Sequence, residues 1–115
     1  MKPIIVRYDC TDHDPIETWI PDDPFNVDFW MNFTIGPDMK GGDNFQVRVT
    51  TPNNLHGRNA DKHAIVLAEY SWASVLKVIE KLLEDIRGDD WAEVSAQLSQ
   101  LMFWEYENYK PYKGA

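Results

Sequence analysis

The stretch VDFWMNFTI, residues 27–35, sets Val27, Phe29, Met31, Phe33 and Ile35 in alternation with Asp28, Trp30, Asn32 and Thr34. A period of two is the signature of a strand with one face buried. Gly36-Pro37 predicts the end of that strand, and Gly41-Gly42 permits a reversal. Phe45, Val47 and Val49 then alternate with Gln46, Arg48 and Thr50 as far as Pro52. The two runs predict an antiparallel hairpin with a long loop. Its outer face would present Asp28, Trp30, Asn32 and Thr34 beside Gln46, Arg48 and Thr50, a polar and fairly flat surface with one large aromatic in it.

Working outward, Lys2 to Tyr8 contains Ile4, Ile5 and Val6 and predicts a first strand. Pro52 to Lys62 lacks periodicity and predicts a surface connection, after which the apolar run Ala64 to Tyr70 reads as a central strand. From Trp72 the apolar positions change to Val75, Leu76, Ile79, Leu82, Leu83 and Ile86, a helical stripe with Ser71 as N-cap and Gly88 as the stop. Asp90 and Glu93 have capping-box spacing ahead of a second stripe, Trp91, Val94, Leu98 and Leu101. Trp72 and Trp91 fall on these stripes and read as core. The tail from Phe103 to Tyr109 reads as a last strand or an anchored extended segment. Strands first and helices after predict an α+β fold: an antiparallel sheet of about four to five strands with two C-terminal helices packed on one face.

A chain of 115 residues fits one domain, 1–115, and 43% apolar residues suffice for a core. Nineteen acidic against eleven basic residues leave a formal charge of -8, which repels phosphate backbones and argues against direct nucleic-acid binding. The lone Cys10 cannot form an intramolecular disulfide. Neither a signal-peptide run nor a stretch of membrane-helix length is present, so the expected location is cytoplasmic, with no membrane partner. Oligomeric state is not legible.

The densest polar constellation is Asp9-Cys10-Thr11-Asp12-His13-Asp14, followed by Glu17, Asp22, Asp23 and Asp28, with no basic residue between Arg7 and Lys40. A metal site would use Asp12, His13 and Asp14, but ligands at consecutive extended positions point to opposite sides, and the glycine and distal glutamate of a calcium loop are absent. A cysteine nucleophile would need Cys10 beside a histidine, whereas His13, His56 and His63 lie in or beside predicted loops and read as surface histidines. Charge runs are most often solvated loops. The alternative is an acidic recognition surface, because Trp19 and Phe25 interleave with the carboxylates and Pro15, Pro21 and Pro24 stiffen the segment. Trp19, Trp30 and Trp104 are less well explained by burial than the other two tryptophans and are the interface candidates.

Several short pieces carry a family likeness in order along the chain: Trp19 with Pro21, Asp22 and Pro24; Ile35-Gly36-Pro37; Val49-Thr50-Thr51-Pro52; Glu69-Tyr70-Ser71-Trp72; Trp91-Ala92-Glu93-Val94; and Phe103-Trp104-Glu105-Tyr106-Glu107. In these the chain resembles the immunity protein 8 family of bacterial polymorphic toxin systems. The resemblance implies a cytoplasmic protein, encoded beside a toxin, that binds the cognate toxin domain and neutralises it by stoichiometric inhibition. It implies neither enzymatic chemistry nor a cofactor, and supplies no catalytic or metal-binding residues. Toxins of such systems that attack nucleic acids present basic clefts, for which an acidic surface is an electrostatic match. The toxin-contact candidates, taken from the residues themselves, are Asp12, Asp14, Glu17, Trp19, Asp22, Asp23, Asp28, Trp30, Trp104 and Glu105. The competing readings are a small metal-dependent or cysteine hydrolase and a generic acidic protein-interaction subunit.

Overall fold

The computed structural model describes residues 1–55 and 63–105. Five strands and two helices build the predicted α+β fold: β1 (Ile4–Asp9), β2 (Asp28–Asp38), β3 (Gly41–Thr50), β4 (Ala64–Val66), α1 (Trp72–Glu84), α2 (Trp91–Leu98) and β5 (Phe103–Trp104). The order is β1-β2-β3-β4, and β5 also pairs with β3. β1–β2, β2–β3 and β3–β5 are antiparallel, while β4 runs parallel to β3. β4 and β5 therefore divide one edge of β3 between them, at Arg48–Thr50 and Phe45–Gln46 respectively.

The alternation read from residues 27–35 is realised on its apolar side, while on the polar side Thr34 is buried as well. Phe29, Met31, Phe33 and Ile35 of β2 and Phe45, Val47 and Val49 of β3 are buried, in one core with Val75, Ile79 and Leu83 of α1 and Val94 and Leu98 of α2. Trp72 and Trp91 pack against this core, as their stripe positions predict. Ser71 caps α1 by accepting from the Ser74 N–H at 3.1 Å. Asp90 caps α2 by accepting from the Glu93 N–H at 2.9 Å, while the Glu93 carboxylate reaches back to the Asp89 N–H, one residue earlier than a regular capping box.

Four local expectations are corrected. β2 does not stop at Gly36-Pro37 but continues to Asp38 through a register shift, which accommodates the missing proline donor. The hairpin loop is not long: Asp38 pairs with Gly41, leaving Met39 and Lys40 as the connection. The glycines serve close approach there, since a Cβ on Gly36 would lie 1.9 Å from the Gly41 carbonyl oxygen. Ala64 to Tyr70 is not a central strand. Only Ala64–Val66 is strand, on the outer side of β3, because the chain then turns to hydrogen-bond Tyr70 N–H to the Pro24 carbonyl at 2.7 Å. Gly88 does not stop α1, which ends at Glu84 with Asp85 as C-cap; Gly88 instead exchanges backbone hydrogen bonds with Met1.

Candidate functional site

With both helices on one side, the other face of the sheet is uncovered by any described helix. Register places Arg7 and Asp9 of β1, the even positions 28–34 of β2 and 44–50 of β3, Ala64 and Val66 of β4, and Phe103 of β5 on it. Cross-strand pairs organise this surface. Arg48 donates from Nε and Nη2 to the two Asp28 oxygens at 2.6 and 2.7 Å, and Nη2 also reaches the Asn54 carbonyl. Gln46 donates to Asn32 at 2.9 Å, Thr34 to Asn44 at 2.7 Å, and Asn44 to Glu105 from both its backbone and its side-chain nitrogen. Trp30 is 39% exposed and tilts against Phe103 at 5.6 Å. The face is less open than expected at Thr34 and Thr50, which are buried.

Residues 10–27, the acidic segment, are fastened to one end of the sheet, mainly through core-side contacts with Phe29 and Tyr70. Ile16 is fully buried and the Cys10 thiol donates to the Trp30 carbonyl at 3.4 Å. Trp19 stacks on His13 at 3.6 Å and meets the edges of Phe29 and Tyr70. At the segment's base, Thr51 Oγ1 accepts the Val27 N–H, and Asn53 and Asn54 both donate to Asn26. Asp23 Oδ1 accepts the Phe25 N–H at 2.9 Å, a local turn that sets the Pro24 corner.

The structure thus sorts the predicted contact residues. Trp19, Asp22, Asp23 and Asp28 line one depression of about 350 Å³ together with His13 and Asn26. Trp30 follows Asp28 on the same face of β2. Asp12, Asp14 and Glu17 are exposed on the same segment. Trp104 and Glu105 lie elsewhere: they share a second depression with Asn32, Asn44 and Gln46. The row of Asn44 is six residues along β2 from that of Asp28, about 20 Å at the usual strand rise. Trp104 is half-buried and donates its indole N–H to Asp43 at 3.1 Å, beside the Trp91 indole at 3.0 Å. Missing from the predicted set are Ile20, Phe25 and Val66, all exposed apolar side chains around the acidic end; Phe25 was legible as an aromatic among carboxylates, whereas Ile20 and Val66 carried no pattern.

The chemical readings fare differently. Burial raises the Cys10 pKa above its ordinary value, which favours the protonated thiol. His13 is stacked on Trp19, and among the described residues no three His, Cys, Asp or Glu side chains gather as a metal site. His63 is not a surface histidine: it is 2% exposed and packs edge-on against Phe103 at 4.4 Å. The sequence missed this because His63 immediately precedes β4, whose pairing with β3 draws it inward. His56 lies outside the described residues. No described helix is long and apolar enough to cross a membrane.

The sheet face that no described helix covers and the exposed carboxylates of the anchored segment form the polar surface of this fold. The chain belongs to the immunity protein 8 family, whose model matches residues 4–109. Membership makes it an immunity protein of a toxin system, with a toxin as its partner. No match was found among curated proteins or among solved structures.

Proposed function

We propose that the protein neutralises its cognate toxin domain in the cytoplasm by seating the acidic end of its open sheet face on a basic cleft of that domain, one-to-one and without chemistry. The observation that carries this reading is that the carboxylate groups of Asp12, Asp14, Glu17 and Asp22 have no hydrogen-bond or ion-pair partner among the described residues, although the segment that bears them is anchored by Ile16, Trp19 and the Asn26 cluster. Rigid, uncompensated carboxylates raise association rates with a cationic partner and lose little entropy on binding. Asp22, Asp23 and the Trp19 edge contribute the depression, and Trp30 extends the contact onto the sheet. A cleft that handles nucleic acid has the matching charge, so a nuclease is the toxin class this surface fits.

The test is rescue. The C-terminal domain of the polypeptide encoded beside this gene is expressed with and without the protein, and surviving cells are counted. Rescue saturating at one equivalent is expected, and charge reversal at Asp12, Asp14, Asp22 and Asp23 together should slow association and flatten its salt dependence. Unchanged association rate and salt dependence in that variant would refute the acidic-surface reading.

A further inference from the structure

Among the described residues the large apolar side chains left exposed are Met1, Ile20, Phe25, Trp30, Met39 and Val66. Met1 is terminal and Met39 is at the β2–β3 turn. Of the other four, Ile20 and Phe25 lie on the anchored segment on either side of Asp22 and Asp23, while Trp30 and Val66 lie on the open sheet face, Val66 in the cross-strand row of Thr50 and Asp28. Ile20 is 84% and Phe25 59% exposed, so most of each apolar side chain faces water. Trp19 is held inward by His13, Phe29 and Tyr70, while Ile20 after it is exposed ahead of Pro21. Phe25 is fixed by the Asp23 turn on one side and by the Tyr70–Pro24 hydrogen bond on the other.

Resting on the immunity reading above, we infer that Ile20 and Phe25 are the apolar anchors of the toxin interface, flanking Asp22 and Asp23, and that the partner surface is a basic cleft bordered by apolar sockets. Charge selects this occupant over a second copy of the chain: two copies meeting at this end would bring Asp22 and Asp23 of both together on molecules of charge -8. The two kinds of side chain divide the kinetics. Carboxylates act at a distance and set the on-rate, whereas apolar anchors act only in contact and set the off-rate.

The experiment measures association and dissociation rates of the neighbouring-gene toxin domain with the wild-type protein, with Ile20→Ser, with Phe25→Ser, and with Asp22→Asn/Asp23→Asn, alongside the mass of each free protein by light scattering. Thermal melts verify folding, which the serine variants retain because neither side chain is buried. Each serine variant should raise the off-rate about tenfold or more with the on-rate nearly unchanged, and the double Asn variant should do the reverse. Off-rates within twofold of wild type for both serine variants, with wild-type binding intact, would overturn the anchors while leaving the immunity reading standing. A wild-type dimer that Ile20→Ser or Phe25→Ser converts to monomer at unchanged toxin affinity would make the patch a self-interface and overturn the inference. Absence of wild-type binding to an active toxin domain would overturn the immunity reading itself.

Discussion

Asp28 lines the acidic depression, yet its charge is already spent. Both carboxylate oxygens are taken by Arg48, whose side chain is 12% exposed against 38% for Asp28. Removing one partner of a fully buried pair costs about 3–5 kcal/mol, while fully exposed pairs are worth about 0–1 kcal/mol. The geometry here is bidentate and half screened, so Asp28→Ala should cost about 2 kcal/mol, mostly from the guanidinium left under the Asn54 turn with one of its partners gone. At a urea m-value of about 1.5 kcal/mol per molar, the midpoint followed by tryptophan fluorescence falls by roughly 1.3 M. Asp28→Ala/Arg48→Met removes the stranded charge and keeps the aliphatic packing, so it should recover at least half of that loss. It also removes one charge of each sign and leaves the net charge at -8, so the toxin on-rate and its salt dependence should persist. A double variant that loses as much stability as the two single variants summed would refute the coupling. A double variant that folds but loses salt-dependent association would show that Asp28 acts on the partner after all.

Asp43 accepts the indole N–H groups of Trp91 and Trp104 and so ties α2 and β5 to the start of β3; Asp43→Ala should cost about 2–3 kcal/mol by thermal melt and shift the tryptophan emission. Gly36→Ala and Gly42→Ala each drive a Cβ to about 2 Å from a backbone atom of the facing strand and should abolish the cooperative near-ultraviolet melt, whereas Gly41→Ala, with open space around it, should melt as wild type. Among the described residues the Tyr70 hydroxyl is buried without a partner, and burial pushes its pKa up to about 12 from 10. The phenol is therefore neutral in the folded chain where the unfolded chain ionises, so its contribution is intact below pH 10 and is lost as pH climbs from 10 towards 12. Tyr70→Phe should remove that alkaline loss and raise stability at pH 7 by about 1 kcal/mol, measured by urea titration at both pH values.

The parts of the fold legible in the sequence are those where burial imposes a period. Residues 27–35 and 45–50 and the Val75–Ile86 stripe announced their faces because each alternates or repeats against one core. Illegible were features set by contacts remote in sequence. Gly36-Pro37 looks like a stop until Gly42 is seen lying against Ile35, and Ala64–Tyr70 looks central until Pro24 captures Tyr70. The candidate site follows the same division. The acidic run and its prolines were readable as composition, but which tryptophan is tethered was not: Trp19 and Trp104 are engaged by partners remote in sequence, Tyr70 and Asp43, and of the three interface candidates only Trp30 counts as exposed.

The carboxylates of this chain divide by what they hold. Asp28, Asp43, Asp90, Glu93 and Glu105 each accept hydrogen bonds that fasten a strand or a helix. Asp12, Asp14, Glu17 and Asp22 hold nothing among the described residues, and the segment beneath them is secured by Cys10, Ile16, Trp19 and amide contacts instead. Four like charges within eleven residues repel one another, each close pair weakly in water but in the same direction. Replacing all four with Asn or Gln should therefore leave stability unchanged or raise it by up to about 1 kcal/mol at low salt, with the gain fading by 0.5 M salt as screening removes the repulsion. The same variant should lose salt-dependent association with the toxin domain. A fall in stability would mean these side chains carry structural bonds, and the separation of holding from recognising carboxylates would be wrong; a rise in stability paired with slower association would show that the fold tolerates the repulsion in order to present it.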